Sequence, residues 1–296
     1  MISFFTIFDR NTVPIMKRIL FPCLAILLVA ATSCTRDFTF VQMADTQIGF
    51  GDPSPALIHS DTLMQKAVHA VNALHPEVAV ICGDLVNQPW GEGDDRLFAF
   101  QDSIFQANLH RFDPVIDVRL VPGNHDIHPF TQEKHDAYVQ RRGYDRFSFK
   151  KFGCAFIGFD TNCIKDGAVA EETQQWAWLS KELEKASRAR FTFLFIHCPV
   201  IRETMDEPED YFNFSKDARA KYLDLFKRNG VDAVFAGHTH RPFACEVDGI
   251  RLYTAGAVGN CLGAGIPGYH VIHVGKDGFT VTYTPTPGVD SSTAQL

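Results

Sequence analysis

Five short polar stretches of the sequence carry side chains that commonly bind metal ions. They are ADTQ (Ala44–Gln47), GDLVN (Gly83–Asn87), GNHD (Gly123–Asp126), HCP (His197–Pro199) and GHTH (Gly237–His240). Their carboxylate, amide and imidazole donors come from Asp45, Gln47, Asp84, Asn124, His197, His238 and His240, with His125 left over. This mixed oxygen and nitrogen set is too large for one tetrahedral zinc ion, and it suffices for two divalent cations that share a carboxylate.

The two histidines of GHTH are separated by a single residue at the end of an apolar run. On an extended segment, residues two apart point to the same side, so His238 and His240 can serve adjacent ions while Thr239 points elsewhere. A lone histidine is more often structural than a ligand, and this is our interpretation of His128, His135, His270 and His273. The joint occurrence of all five stretches, in order, is what favours a metal centre.

Each polar stretch follows an apolar run that predicts a β-strand, at 38–43, 78–81, 115–121, 191–196 and 231–235. Further runs predict strands at 152–159, 243–247, 251–254, 270–274 and 279–283, and helical spacing occurs at 56–74, 96–110, 132–141, 172–189 and 215–229. In open α/β sheets, ligands bind at the carboxyl ends of the strands. We therefore expect the five strand ends to meet in one crevice.

The order of these elements predicts an α/β core, because strands alternate with helices first and strands alone close the chain. The pattern by itself favours a sheet extended by antiparallel hairpins. Composition is that of a globular protein, with 46% hydrophobic and 21% charged residues. We predict one domain over residues 37–284, followed by a tail over 285–296.

The five motifs resemble those of the calcineurin-like metallophosphoesterase superfamily. They occur in the same order as in that superfamily, and the resemblance covers nearly the whole chain after residue 33. A closer resemblance is to the calcineurin-like phosphoesterase domain-containing protein 1 family of serine/threonine phosphatases. The residues that carry it are Ala44–Gln47, the insertion Glu209–Lys216, and His240 with Arg241. The resemblance implies a four-layer α/β/β/α sandwich with two mixed β-sheets.

The resemblance also implies roles for the motif residues. One ion would be bound by Asp45, Gln47, Asp84 and His240, and the other by Asp84, Asn124, His197 and His238, so that Asp84 bridges. The implied reaction is hydrolysis of a phosphoester by a hydroxide that bridges the two ions. His125 would protonate the leaving oxygen as a general acid.

Two positions depart from the superfamily pattern. Most members have histidine where this chain has Gln47, and an amide oxygen is a harder and weaker donor than imidazole. We therefore expect two divalent ions with Mn²⁺ favoured, and Fe, Zn or Mg as alternatives. Several relatives orient the catalytic histidine with an acid at the position of Asn87. Asn87 can still hold the ring, and Asp126 is a second candidate for this role.

Three residues are candidates for substrate binding at the rim of the site. Arg241 can pair with a phosphate through two parallel hydrogen bonds, although an ordinary ion pair explains it equally well. Tyr211 and Asn213 lie in the insertion that follows the His197 loop, where a structural explanation is equally plausible: aromatic packing beneath a helix capped by Ser215.

The first residues have the pattern of an export signal rather than of a folded segment. Lys17 and Arg18 precede fifteen uncharged residues, 19–33, which are too few for a transmembrane helix of about 20 residues. The stretch before Cys34 resembles a bacterial lipobox, so we expect a leader over 1–33 with the true start at Met16, lipidation at Cys34, and a membrane-anchored lipoprotein of the cell envelope. A plain cleaved signal is the alternative.

The net charge of −7 provides no basic field for nucleic acid, and we expect no nucleic-acid partner. The leading hypothesis is a phosphohydrolase that cleaves phosphomonoesters, either phosphoproteins or small phosphorylated metabolites. One alternative is a phosphodiesterase acting on nucleotide-type diesters. The other is a surface lipoprotein that binds a phosphorylated ligand after its catalytic centre has decayed. The cysteines lack C-x-x-C spacing, which favours buried free thiols over disulfides.

Overall fold

The computed structural model describes residues 36–263 and 265–288. Its strands are β1 (Phe38–Met43), β2 (Val78–Cys82), β3 (Asp117–Val121), β4 (Phe147–Lys151), β5 (Cys154–Gly158), β6 (Thr192–Phe195), β7 (Ala233–Ala236), β8 (Phe243–Val247), β9 (Ile250–Thr254), β10 (Gly268–Gly275) and β11 (Gly278–Pro285). Its helices are α1 (Ile58–Leu74), α2 (Asp95–Leu109), α3 (Asn124–Ile127), α4 (Gln132–Arg142), α5 (Asn162–Lys165), α6 (Val169–Ala186) and α7 (Lys216–Arg228).

The predicted leader and Cys34 lie outside the described residues, as do residues 289–296 of the predicted tail. β11 runs to Pro285, one residue past the predicted end of the domain. Within the described part of the chain, no helix combines the length and apolar character needed to cross a bilayer.

The strands form two mixed sheets. The five-stranded sheet has the order β11-β10-β1-β2-β3, and the six-stranded sheet has the order β4-β5-β6-β7-β9-β8. β1, β2 and β3 are parallel to one another, as are β5, β6, β7 and β9, and antiparallel strands occupy the remaining positions. The predicted class is confirmed, whereas the single sheet suggested by the pattern alone is wrong, because the chain crosses to a second sheet at β4.

Side chains alternate along each strand between the core that separates the two sheets and a core formed between a sheet and its helices. On β1, Phe40 faces the other sheet, whereas Val41 faces the helices. α1 and α2 cover the outer face of the first sheet, and α6 and α7 cover that of the second. α7 shows why a helix forms there: Ser215 caps its first turn, and Tyr222, Leu223 and Phe226 form one buried stripe. The layers are therefore α/β/β/α.

Phenylalanine rings fill the space between the two sheets. The Phe40 ring lies 5.0–5.9 Å from those of Phe156, Phe193, Phe195 and Phe235, all from the opposite sheet. Burial of each such side chain stabilises the fold by about 1.5–3 kcal/mol. Because the sheets are locked face to face by this layer, the carboxyl ends of their parallel strands meet at one edge of the sandwich.

The pattern missed β4, whose register with β5 pairs Phe147 with Gly158. Its sequence is FSFKK, in which the exposed Ser148 and Lys150 alternate with more buried residues, and the strand lies at the edge of the sheet. The six cysteines of the described chain are free thiols, and four of them are buried, as expected.

Candidate metal centre

Direct hydrogen bonds join the loops at the carboxyl ends of the two sheets. The His197 ring, which follows β6, donates from Nδ1 to the carbonyl of Cys82 on β2 at 2.8 Å. The His238 amide, which follows β7, donates to Oδ2 of Asp45 after β1 at 2.8 Å. Residues that follow strands of both sheets thus share one buried site. This agrees with the expectation that the strand ends meet in one crevice.

Main-chain carbonyls hold one nitrogen of each histidine ring at this site. His197 binds the carbonyl of Cys82 at 2.8 Å, His238 uses Nε2 toward that of Tyr211 at 3.0 Å, and His240 uses Nδ1 toward that of Asn260 at 2.9 Å. A carbonyl can only accept, so the bonded nitrogen carries the proton. The other nitrogen of each ring is thereby left facing into the site, as in metal-ligating histidines.

Donor atoms of four residues, Asp84, Asn124, His197 and His238, lie close together in the site. The Nε2 atom of His197 lies 3.0 Å from Oδ1 of Asn124, 3.1 Å from Nδ1 of His238 and 3.4 Å from Oδ1 of Asp84. Ligands bonded to a cation at about 2.1 Å are separated by roughly 3.0–3.4 Å in octahedral or tetrahedral geometry. Positive charge among these atoms offsets the repulsion of their lone pairs, and either a proton on His197 or a divalent cation supplies it, so the set fits a divalent ion.

A second set adjoins the first. Oδ1 of Asp45 lies 3.7 Å from Nε2 of His240. Oδ1 of Asp45 and Oε1 of Gln47 are both buried and have no hydrogen-bond partner. An orphaned buried oxygen costs about 1–3 kcal/mol, so two at one place call for a ligand. These donors match the predicted first ion, for which Gln47 supplies the amide oxygen.

Burial and neighbouring charges shift the pKa values of these residues strongly. Burial raises the pKa of Asp45 to about 6, against the opposing effect of His240. Burial also opposes ionisation of Asp84, but the charge and hydrogen bond of His197 outweigh it and hold the Asp84 pKa well below its usual range.

The pKa values of His197 and His238, the two histidines near Asp84 and Asn124, shift in opposite directions. Burial opposes the charged form of His197, but the charge of Asp84 prevails and raises its pKa to about 9. Burial, followed by the neighbouring His197, lowers the pKa of His238 to about 3. The field that retains a proton on His197 also attracts a divalent cation.

The backbone at the site adopts left-handed conformations. Of the nine non-glycine residues with positive φ in the described chain, five are predicted ligands: Asp45, Gln47, Asp84, His238 and His240. Each such residue costs of order 1–3 kcal/mol, and such strain concentrates at functional sites. It also corrects the expectation of an extended GHTH segment. His238 (φ 74°) and His240 (φ 54°) lie on a tight turn, which sends their rings toward different sets of donors.

Position 123 requires glycine because the backbone of Asp84 packs too closely against it for a side chain, and not because of its φ angle. A methyl group at this position would collide with the amide nitrogen and carboxylate of Asp84. Gly123 also begins α3, whose first turn directs the amide of His125 to Oδ1 of Asp84 at 2.8 Å. The glycine of GNHD thus brings the third strand end into contact with the second.

His125 is half-buried and is held by the chain, although not as the sequence suggested. Its Nδ1 donates to the main-chain carbonyl of Asn87 at 2.6 Å. The Asn87 side chain instead lies 3.4 Å from Nε2 of Gln47. The Asp126 carboxylate accepts from the amides of Gly123 and Leu85, so it supports the loop rather than the ring. Nε2 of His125 is the nitrogen left for proton transfer.

The three predicted rim residues differ in their surroundings. Tyr211 is 55% exposed, and its hydroxyl accepts from Nδ2 of Asn124 at 2.8 Å. Arg241 is exposed and donates through Nε to the carbonyl of Leu262. Asn213 is fully buried, and its amide is engaged by Asp210, Glu207 and Pro208, so the expectation of a substrate contact is replaced by a structural role.

Sequence reasoning missed the carbonyl anchors of Cys82, Tyr211 and Asn260, because main-chain groups leave no signal in residue type. The four histidines that we interpreted as structural have partners away from the site: His128 with Asp166, His135 with Asp145, His270 with Gln42 and His273 with Thr39.

Comparison with known proteins identifies the family of the chain. Residues 38–242 match the family model described as Calcineurin-like phosphoesterase. Serine/threonine-protein phosphatase CPPED1 of Rattus norvegicus is 32% identical over 259 residues, which is 81% of this chain and 81% of the relative.

Two solved structures share the fold. A dimetal phosphatase from Danio rerio aligns with a TM-score of 0.59 and 14% identity, over 85% of this chain and 97% of its own. A purple acid phosphatase from Lupinus luteus aligns with a TM-score of 0.62 and 13% identity, over 89% of this chain and 53% of its own. With the family match over its strand-end motifs, the chain belongs to the calcineurin-like phosphoesterase family of metal-dependent hydrolases.

Proposed function

We propose that this protein hydrolyses phosphomonoesters at a centre of two divalent cations. The observation that carries the proposal is the convergence of the donor atoms of Asp84, Asn124, His197 and His238 at 3.0–3.4 Å from the His197 nitrogen. The orphaned oxygens of Asp45 and Gln47 beside them supply ligands of the first ion. The similarity to serine/threonine phosphatases favours a phosphoprotein or a small phosphorylated metabolite as substrate.

The residues of the site have three proposed roles: metal binding, proton donation and phosphate binding. Asp45, Gln47, Asp84 and His240 hold the first ion, and Asp84, Asn124, His197 and His238 hold the second. The bound cations supply Lewis-acid activation of water and neutralise charge on the phosphoryl group. His125, fixed through Nδ1 by the Asn87 carbonyl, donates a proton from Nε2 to the leaving oxygen. Arg241, which follows His240 and is exposed, is the candidate to pair with a phosphate oxygen.

The amide oxygen of Gln47 makes the first site harder than an all-imidazole site. We propose Mn²⁺ as the favoured cation, with Fe, Zn or Mg as alternatives. Residues 36–296 are expected to hydrolyse p-nitrophenyl phosphate with Mn²⁺ and to act more slowly on bis-p-nitrophenyl phosphate. Release of p-nitrophenol from each substrate, with each metal, is the measurement.

Three outcomes are distinct. Faster cleavage of the diester would replace the monoesterase by a phosphodiesterase. Retention of metal and tight binding of a phosphorylated ligand without turnover would indicate a phospholigand-binding protein. No turnover with any of the four metals, in protein shown to contain metal, would refute the proposed hydrolase.

We further propose export to the cell envelope with a lipid on Cys34, on the basis of the sequence pattern before that residue. Full-length protein expressed in a bacterial host is expected to take up labelled palmitate and to sediment with membranes. Cys34→Ser is expected to lose the label, and Cys23→Ser, inside the leader, is the matched control. Label that persists in Cys34→Ser would contradict the assignment.

A further inference from the structure

Tyr211 touches two of the proposed ligands of the second ion. Its hydroxyl contacts the side chain of Asn124, and its main-chain carbonyl contacts the ring of His238. We propose that Tyr211 is a positioning residue that fixes the orientation of both ligands and thereby sets the affinity for the second ion. This inference rests on the proposed function, and it changes the role of Tyr211 from a substrate contact to a support of the metal centre.

The contact with Asn124 selects which end of its amide faces the site. An asparagine can present either its oxygen or its NH₂ group, and only the oxygen can bind a cation. Nδ2 donates to the Tyr211 hydroxyl at 2.8 Å, and Oδ1 lies 3.0 Å from Nε2 of His197. The hydroxyl therefore holds the amide with its oxygen directed toward the ion.

The contact with His238 selects the nitrogen that faces the site. Nε2 donates to the Tyr211 carbonyl at 3.0 Å, which leaves Nδ1 free, 3.1 Å from Nε2 of His197. The aromatic rings of Tyr211 and Phe212 lie 4.7 and 5.4 Å from the His238 ring and restrict its rotation. One residue thus orients two ligands through two different atoms.

The segment that presents Tyr211, residues 202–214, is held rigidly, and we call it the Tyr211 loop. Arg219, fully buried on α7, donates to four of its carbonyls, those of Met205, Glu207, Pro208 and Phe214.

Two further contacts complete this support. Lys165 donates to the carbonyls of Asp210 and Asn213, the residues on either side of Tyr211 and Phe212. Glu207 accepts from three amides at the start of the loop. The loop is therefore preorganised, so little conformational entropy is lost when Tyr211 engages the ligands.

Removal of a residue that orients a ligand costs typically 10–100-fold in metal affinity. Tyr211→Phe deletes the hydroxyl and keeps both the ring and the carbonyl that binds His238. We expect Mn²⁺ titration calorimetry to show two ions bound to the wild type. In Tyr211→Phe, the second ion should bind about 10–100-fold more weakly and the first unchanged. Excess Mn²⁺ should restore kcat, with KM for p-nitrophenyl phosphate close to the wild-type value.

Tyr222→Phe is the matched control, because it also removes one hydroxyl bond, to Glu172, but lies in the α6/α7 layer away from the site. It should bind both ions as the wild type does. A second test is Asn124→Asp, in which either carboxylate oxygen can bind the ion and no amide needs orienting. In that background, Tyr211→Phe should cause no further loss, which a double-mutant cycle measures.

Wild-type affinity for both ions in Tyr211→Phe would overturn the proposal, and a raised KM with that result would make Tyr211 a substrate contact. An equal loss in the Asn124→Asp background would also overturn it. Wild-type protein that binds two ions but hydrolyses nothing would refute the proposed function while the metal titrations still decide the role of Tyr211.

Discussion

Asp84→Asn is expected to abolish hydrolysis, with kcat/KM lowered by about 10³-fold or more, and to leave less than two ions per chain. Asp84 is the carboxylate assigned to both ions, and an amide has neither its charge nor its second anionic oxygen. A loss of about 10³-fold corresponds to about 4 kcal/mol, within the several kcal/mol that metal-ion stabilisation of the transition state supplies. The fold should survive, because asparagine has the same shape and can still accept from the His125 amide.

Metal content by mass spectrometry and kcat/KM for p-nitrophenyl phosphate are the two measurements. Asp248→Asn is the matched control, since this exposed turn residue pairs with Lys227, and asparagine tolerates its positive φ. It should retain full activity and both ions. An Asp84→Asn variant that keeps two ions and wild-type turnover would remove the bridging role on which the proposed centre depends.

His125→Ala is expected to separate proton transfer from metal binding. Loss of a general acid costs typically 10²–10⁴-fold, so kcat for phenyl phosphate, whose leaving group needs a proton, should fall in that range. The loss should be much smaller for p-nitrophenyl phosphate, whose phenolate departs more readily without one. Both ions should remain, because the His125 ring binds the Asn87 carbonyl and is not among the converging donors.

The ratio of the two kcat values, with metal content measured alongside, tests this role. His69→Ala, which changes an exposed histidine on α1, should leave the ratio unchanged. Equal losses on both phosphates would show that His125 does not protonate the leaving group. Loss of metal in the variant would instead make it a ligand or a support of one.

The α/β class could be predicted from the sequence because the spacing of apolar residues within each element, and the order of the elements, are both visible along the chain. The apolar runs at 38–43 and 78–81 predicted the strands found at Phe38–Met43 and Val78–Cys82, and the polar residues after them indicated the functional edge. β4 was missed because FSFKK, the sequence of this edge strand, contains only two apolar residues, too few to form an apolar run. The division into two sheets depends on packing between Phe40 and the rings of the opposite sheet, a non-local contact that no window of sequence contains.

The candidate site divides in the same way. The sequence by itself determined which side chains are candidates for the chemistry, from Asp45 to His240, because donor type and position after an apolar run can be read from residue identity. Only the tertiary structure decided how they are oriented. The nitrogen of each ring that faces the site is set by a carbonyl from a distant strand or loop, as for His197 with Cys82 and His240 with Asn260. The His125 ring is likewise held by the Asn87 carbonyl, and the burial of Asn213 also depends on tertiary packing. Main-chain groups are identical at every residue, so their partners are fixed by packing alone.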